Sequence, residues 1–355
     1  ARIGILETKK GSIITPVFMP VATLGTVKTL STDQLKNIGV TTLMCNTYHL
    51  LIRPGLEVIK KAGGLHAFIN WNMPVFTDSG GFQIFSLSNF VKVDKDFIEY
   101  VDHLTGAKFI LTPQQVVSFQ EDILQSDMLV PLDYPSFYRA SYQQASYHLD
   151  ITMSWAEAGL KVYKGKGLLF GINQGGIYED LRLKSLEFLL SKNFDGIAIG
   201  GLGLGEPPEK TIEIAKLIRE KTPPDKPIYV MGLGRPQDVV KLIEHGVDMF
   251  DCVLPTRNGR FGRAYTFRGI VILKNNKYID DLTPIDDNCK CFACIHYSKA
   301  LLRHLIIAQE ILGVTMVTLH NVHFYIELFE KIKEAIIKDR FLEWKEEFLR
   351  NYSNL

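Results

Sequence analysis

Cysteine is scarce in this 355-residue chain and unevenly placed: there are five, and three of them fall within six residues. An odd number clustered so tightly excludes a secreted disulfide framework and points to a bound metal. Excess charge is missing too. The formal net charge is only +1, so the chain does not coat nucleic acid through overall positive charge. No apolar run reaches the roughly 18 residues of a membrane span. Low-complexity tracts, internal repeats and flexible linkers are absent, and no basic-then-apolar leader opens the sequence. These absences lead to the expectation of a cytoplasmic protein with no membrane partner.

What is present is an ordinary apolar fraction, 46%, in a chain long enough to bury a large core. Eight short apolar or β-branched runs recur, near Thr15–Pro20, Thr42–Cys45, Pro74–Thr77, Met128–Pro131, Leu168–Asn173, Asp195–Gly200, Pro227–Met231 and Val247–Phe250. Amphipathic stretches such as Thr211–Lys221 and Pro236–His245 lie between them, each ended by Gly or Pro. Parallel strands need helical crossovers and cover on both faces, so the pattern predicts an α/β (β/α)8 TIM barrel. A doubly wound open sheet has the same periodicity and stays open as an alternative. The wide gap between the third and fourth runs predicts an insertion that includes Phe85–Thr112. After the eighth run come a basic, hairpin-like stretch, the cysteine cluster, and two helical segments near Ser298–Leu312 and Val322–Arg350. The expected organisation is one catalytic domain over residues 1–355, with a zinc-binding subdomain at about 270–355.

Cys289, Cys291 and Cys294 form C-x-C-x-x-C. Three thiolates and one imidazole make a closed tetrahedral set that suits one structural Zn²⁺ and leaves no position for catalysis. His320 is the preferred fourth ligand, read as lying at the start of the last helix after a strand-like run. His296, His304 and His323 are the other candidates.

In a barrel, chemistry sits on the loops that follow the strands. Here those positions read Asn46-Thr47-Tyr48-His49, Asp78-Ser79-Gly80-Gly81, Asp133, Asn173-Gln174-Gly175-Gly176, Gly200-Gly201-Leu202-Gly203, Met231-Gly232 and Asp251. One carboxylate after a strand is explicable as a helix cap or turn former. Three, with glycine-rich loops between them, make a polar ring around one pocket in which backbone approaches a flat ligand closely. Between Cys252 and Ile279 there are six Lys or Arg and no acid, a local patch suited to phosphates. A metal-dependent hydrolase needs a histidine-rich mouth, and only His49 sits at a strand end.

These residues, in CNTYHLLIRPG (45–55), TDSGGFQ (77–83), GINQGGIYEDLR (171–182), GGLGLGE (200–206), FDCVLPTRNGR (250–260), CKCFAC (289–294) and TLHNVHFY (318–325), give a chain that resembles the tRNA-guanine transglycosylases of the queuosine pathway. The resemblance implies a zinc-bearing TIM barrel, a homodimer, and exchange of guanine at the wobble position of tRNAs with GUN anticodons. Bacterial members insert 7-aminomethyl-7-deazaguanine (preQ1).

Position by position, the resemblance implies that Asp251 attacks C1′ of the ribose and that Asp78 handles the proton of the departing and incoming base. It assigns Ser79, Asp133, Gln174 and the backbone of Gly201 and Leu202 to the base edge. Phe82 and Met231 take the base faces, and Arg257 and Arg260 take the RNA. Displacement at an anomeric carbon through a carboxylate, then a second displacement, retains stereochemistry and gives ping-pong kinetics. Tyr134-Pro135 departs from the Glu-Cys expected after Asp133. Leu204, where queuine-using enzymes have Gly, favours preQ1. Two alternatives are archaeal-type exchange with the nitrile base preQ0 and a non-catalytic partner subunit.

Overall fold

All eight apolar runs form strands, and they lie side by side in chain order. The computed structural model describes residues 1–88 and 90–352. The strands are β1 (Val17–Pro20), β2 (Leu43–Asn46), β3 (Val75–Asp78), β4 (Met128–Leu129), β5 (Leu168–Asn173), β6 (Gly196–Ile199), β7 (Ile228–Val230) and β8 (Met249–Cys252). Every named pairing among them is parallel, and β1 pairs with β8, so the first strand meets the last. The ring closes between β1 and β2 through a parallel bridge from Val21 to Met44, where Ala22 N–H donates to the Met44 carbonyl at 2.7 Å. The doubly wound alternative fails on that closure, because an open sheet leaves its edge strands unpaired. The fourth strand is only two residues long, shorter than its apolar run.

Strand periodicity decides what faces inward. Val17, Met19, Met44, Phe76, Met128, Phe170, Ile172, Ala198, Tyr229 and Met249 pack together inside the barrel. Their neighbours Phe18, Leu169, Ile197, Ile228, Val230 and Phe250 pack outward in the layer shared with the helices. The antiparallel hairpin Gly4–Thr8 with Gly11–Thr15 adds Ile13 and Leu6 to the interior cluster, so the N-terminal face is plugged. Side chains two residues beyond the last inward apolar residue are thereby aimed at the opposite, C-terminal face.

The predicted insertion holds a three-stranded antiparallel sheet, Val91–Val93, Ile98–Val101 and Lys108–Leu111. The basic stretch after β8 starts as a helix, Leu254–Arg260, before its hairpin Arg263–Thr266 with Gly269–Ile272. Among the described residues, the short helix Phe292–His296 at the cysteine cluster is followed by three helices where two were expected: Lys299–Ile307, Ile311–Ile337 and Phe341–Tyr352. His320 therefore lies within the 27-residue helix Ile311–Ile337, with no strand directly before it and not at the start of the last helix. The run Val-Thr-Met-Val-Thr-Leu reads as a strand because four of its six residues are β-branched and the other two are apolar. It is helical because this helix is covered on several sides, and burial of Met316, Val317, Leu319 and Val322 outweighs weak intrinsic preference. Those residues share a core cluster with Cys291, Cys294 and barrel-side residues such as Leu35, Leu43 and Cys45. No helix among the described residues is long and apolar enough to cross a membrane.

Candidate active site and metal centre

The strand parity that fills the barrel also builds the site. Met249 faces inward, so Asp251 does too; Phe76 and Asp78, Met44 and Asn46, Ile172 and Gln174 follow the same rule. Asp78, Asp133 and Asp251 line one cavity of about 380 Å³ at the C-terminal face, with Phe82 and Met231 also on its wall. Gly201 and Leu202 line it as well, and so does Leu204.

Each carboxylate has its own support. Asp251 Oδ1 accepts from the Tyr229 hydroxyl at 2.6 Å and from Gly232 N–H at 2.7 Å. Burial raises the Asp251 pKa from its ordinary value, and these two bonds oppose the rise. Tyr229 stays protonated as the donor, its pKa pushed well up by burial and by the Asp251 charge. Asp78 Oδ2 accepts from Asn46 Nδ2 at 2.8 Å. Burial, with the charges of Asp133 and Asp251 adding to it, lifts Asp78 to about 7. Asp133 Oδ2 accepts from Gln174 Nε2 at 2.8 Å, and burial lifts its carboxyl to about 6. The set thus offers one carboxylate held by two donors and one carboxyl that changes protonation near neutrality, a pairing suited to nucleophilic and acid–base work.

The glycines sit where backbone must approach. A Cβ on Gly81 would stand 2.7 Å from the Asp133 carbonyl and carboxylate oxygens, so only glycine lets the helix Gly81–Leu87, which carries Phe82, seat against Asp133. Gly201 has φ +68°, and a Cβ there would meet Gln174 Oε1 at 2.5 Å. Gln174 is fully buried behind the wall, and its Oε1 has no hydrogen-bond partner among the described residues. Ser79 is also buried, its Oγ accepting from Gly81 N–H at 3.3 Å. Arg257 and Arg260 lie on the helix that follows β8, outside the cavity lining; Arg257 is exposed, and Arg260 donates to the Thr256 carbonyl at 3.3 Å.

The Tyr134-Pro135 departure has a structural account. The Tyr134 ring stacks on Phe85 (4.2 Å, 4°) and on His148 (3.9 Å, 23°), within an aromatic group away from the cavity. Pro135 is the residue that lines the cavity instead.

The sequence reading missed several supporting residues. Tyr229 is one; the signal was available, since it stands two residues before Met231 on one strand face. Arg182 is another: fully buried, it donates to the carbonyls of Gly176 (2.8 Å), Asn173 (2.7 Å) and Gly200 (2.9 Å), tying the loops after β5 and β6 together. Glu206 accepts from Leu204 N–H at 3.0 Å and from Thr211 Oγ1 at 2.6 Å, and Gly203 N–H also donates to it. Nothing in a lone Arg or Glu within a helix or loop signals such contacts.

Ligand atoms of Cys289, Cys291, Cys294 and His320 lie within 4.8 Å of one another. His320 Nδ1 is 3.6, 3.5 and 3.3 Å from the three sulfurs in that order. Bonds of Zn–S and Zn–N length at a tetrahedral angle place N and S about 3.5 Å apart, so the donors fit one four-coordinate metal. Nε2 of the same ring is 2.7 Å from the Tyr265 carbonyl, which fixes Nδ1 as the ligating atom. His323 Nδ1 comes within 3.7 Å of Cys289 only, and the group that closes on all three sulfurs contains His320. The cluster suits a structural metal.

The family model described as Queuine tRNA-ribosyltransferase matches residues 1–354. The queuine tRNA-ribosyltransferase of Caldanaerobacter subterraneus subsp. tengcongensis is 48% identical over 354 residues, 99% of this chain and 94% of that protein. Proteins of the same name from a Thermoanaerobacter species (47%, covering 99% and 94%) and Staphylococcus epidermidis (45%, covering 99% and 93%) are similar over the same span.

Proposed function

Because this chain belongs to the queuine tRNA-ribosyltransferase family, and is thereby a transglycosylase acting on tRNA, we propose that it exchanges guanine at the wobble position of GUN-anticodon tRNAs for preQ1 through a covalent Asp251–ribose intermediate. The observation that carries this reading is the pairing of Asp251, held by Tyr229 and Gly232, with Asp78, raised to about 7, on one cavity.

In the first displacement Asp251 attacks C1′ through Oδ2, the oxygen that takes neither of those two bonds. The C1′–N9 bond breaks as the new C1′–O bond forms, and the guanine leaves with a proton supplied by Asp78. In the second, Asp78 takes the N9 proton of the incoming base, N9 attacks C1′, and the Asp251 carboxylate is released. Two inversions restore the original configuration. The target nucleotide is unpaired in the anticodon loop, so turning it out costs little.

Asp133, Gln174 and the Gly201–Leu202 backbone read the base edge, and Phe82 and Met231 take its faces. Ser79, assigned to the base edge with them, is buried off the cavity wall and acts there through its hydrogen bond to the Asp133 carboxylate. Gln174 Nε2 holds the Asp133 carboxylate at the cavity wall at 2.8 Å, which supports assigning the pair to the base edge. Leu204 on the cavity wall narrows the space for a 7-substituent, which favours preQ1 over queuine. Arg257 and Arg260 contact RNA phosphates. The metal is Zn²⁺, held by Cys289, Cys291, Cys294 and His320; it staples the C-terminal segment, proposed as a subdomain of about 270–355 within one catalytic domain. The enzyme works as a homodimer in the cytoplasm. A non-catalytic partner subunit is the weaker reading, because Asp78 and Asp251 are both in place.

The test is incubation with labelled guanine, preQ1 or preQ0 and a GUN-anticodon tRNA, followed by mapping of the labelled nucleotide. Asp251→Ala abolishes the denaturant-resistant RNA adduct. An adduct that survives this change moves the nucleophile elsewhere.

A further inference from the structure

The loop after β4 carries aromatic rings outward at the edge of the cavity. Phe137 is 42% exposed and Tyr138 36%, and Arg139 beside them is exposed as well. Large apolar rings held in water need a reason when they cluster beside a pocket. Both adjoin the cavity wall: the Phe137 ring lies 6.1 Å from that of Phe82, a wall residue itself 38% exposed. Tyr138 Cδ1 is 3.9 Å from where a Gly205 Cβ would stand, next to the wall residue Leu204.

The loop is anchored on both sides of these rings. Before them, Ser136 is fully buried with its Oγ 3.1 Å from His148 Nδ1, and Tyr134 is clamped between Phe85 and His148. After them, Ala140 N–H donates to the Phe137 carbonyl at 2.9 Å, and the Tyr178 hydroxyl donates to the Ala140 carbonyl at 3.0 Å. Ser141 then caps the helix Tyr142–Leu160. Such a turn holds exposed rings in place at little further entropic cost on binding.

The barrel's order fixes what stands across the mouth. With the strands in sequence round a closed ring, β4 and β8 are opposite. The segment after β8 is the cationic, acid-free stretch that begins with Arg257 and Arg260. A strand of RNA laid over the cavity therefore meets cations on one side and aromatic faces on the other.

We propose that Phe137 and Tyr138 form a stacking platform for the unpaired nucleobases that flank the exchanged nucleotide, while the phosphates track the opposite, Arg257 side. Stacking is indifferent to base identity, because every base has a π-face, and it adds affinity that salt does not screen. This inference rests on the tRNA-directed reading above, and it names where the neighbours of the target lie.

The probe is a synthetic anticodon stem-loop RNA, intact or with an abasic ribose at each nucleotide flanking the target guanosine in turn. Affinity by fluorescence anisotropy and labelled-guanine exchange are measured for wild type, Phe137→Ala, Tyr138→Ala and Arg257→Ala. In wild type, one abasic substitution weakens binding by roughly ten-fold; the aromatic variants weaken the intact RNA by a similar factor and lose most of the abasic penalty. Their salt slope is unchanged, whereas Arg257→Ala flattens it by about one charge. An abasic penalty that persists in full in Phe137→Ala and Tyr138→Ala overturns the platform. So does an effect confined to the KM of the free base, or to self-association in sedimentation. Absence of labelled-guanine exchange by wild type refutes the transglycosylase reading instead, and the binding data are read separately from it.

Discussion

The Tyr229 hydroxyl donates to Asp251 Oδ1 at 2.6 Å, from the neighbouring strand and from the same inward face. A carboxylate at the end of a buried strand is drawn toward its neutral form by desolvation. The phenol and the Gly232 N–H oppose that pull and orient the group, which suits the nucleophilic role proposed for Asp251.

Tyr229→Phe removes a hydrogen bond to a charged group, a loss of about 1.5–3 kcal/mol, which corresponds to a roughly ten- to hundred-fold fall in adduct formation. The acid limb of the rate profile moves to higher pH, because the bond that lowers the Asp251 pKa is gone. Single-turnover adduct formation across pH checks both effects. An unmoved acid limb means that Tyr229 does not govern the charge on Asp251.

Asp78 makes the pH dependence of the two half-reactions opposite. With its pKa raised to about 7, adduct formation, which needs the proton, falls above that pH. Capture of the incoming base, which needs the carboxylate, falls below it. Rapid-quench measurement of each half-reaction separates them, and parallel profiles remove Asp78 as the shared acid and base.

The same shift has a stability consequence. The folded chain retains a proton at Asp78 that the unfolded chain, with the ordinary carboxyl pKa of 3.8, releases. The stabilising contribution is complete below pH about 4 and is lost as pH rises through about 7. Asp78→Asn removes this loss, so at pH 8 the variant melts a few degrees above wild type, while its exchange activity is abolished. Calorimetry at pH 5 and pH 8 checks the sign; equal pH dependence in both proteins refutes it.

Cys291→Ser opens the metal cluster at its buried centre. Structural zinc contributes on the order of 10 kcal/mol to the segments it joins, so bound metal falls from one per chain and the region around 289–320 becomes protease-sensitive. Metal analysis with limited proteolysis provides the readout. A variant that loses turnover but keeps its fold and its metal places the cluster in the chemistry.

Leu204→Gly widens the cavity wall next to the loop held by Glu206. Competition between preQ1 and queuine in the exchange assay then shifts toward queuine by on the order of ten-fold, the scale of a relieved steric clash in a binding pocket. An unchanged ratio locates base selection elsewhere, with Pro135 the next residue to vary.

The eight strands, the cysteine cluster and the polar strand ends were legible in the sequence, because each is a local pattern: a buried run has its composition, and a chelate has its spacing. Asp78, Asp133 and Asp251 could be named one at a time on the same grounds. Only the tertiary structure decided that they share one cavity, since that depends on β1 bridging to β2 and closing the ring. It also decided that His320 is held mid-helix, because burial on several sides overrides a β-branched run. Tyr134 reads as a pocket residue by its place after Asp133, yet the stack between Phe85 and His148 turns it away. Those outcomes are set by what lies across the barrel or beneath the side chain, which neighbours in sequence do not specify.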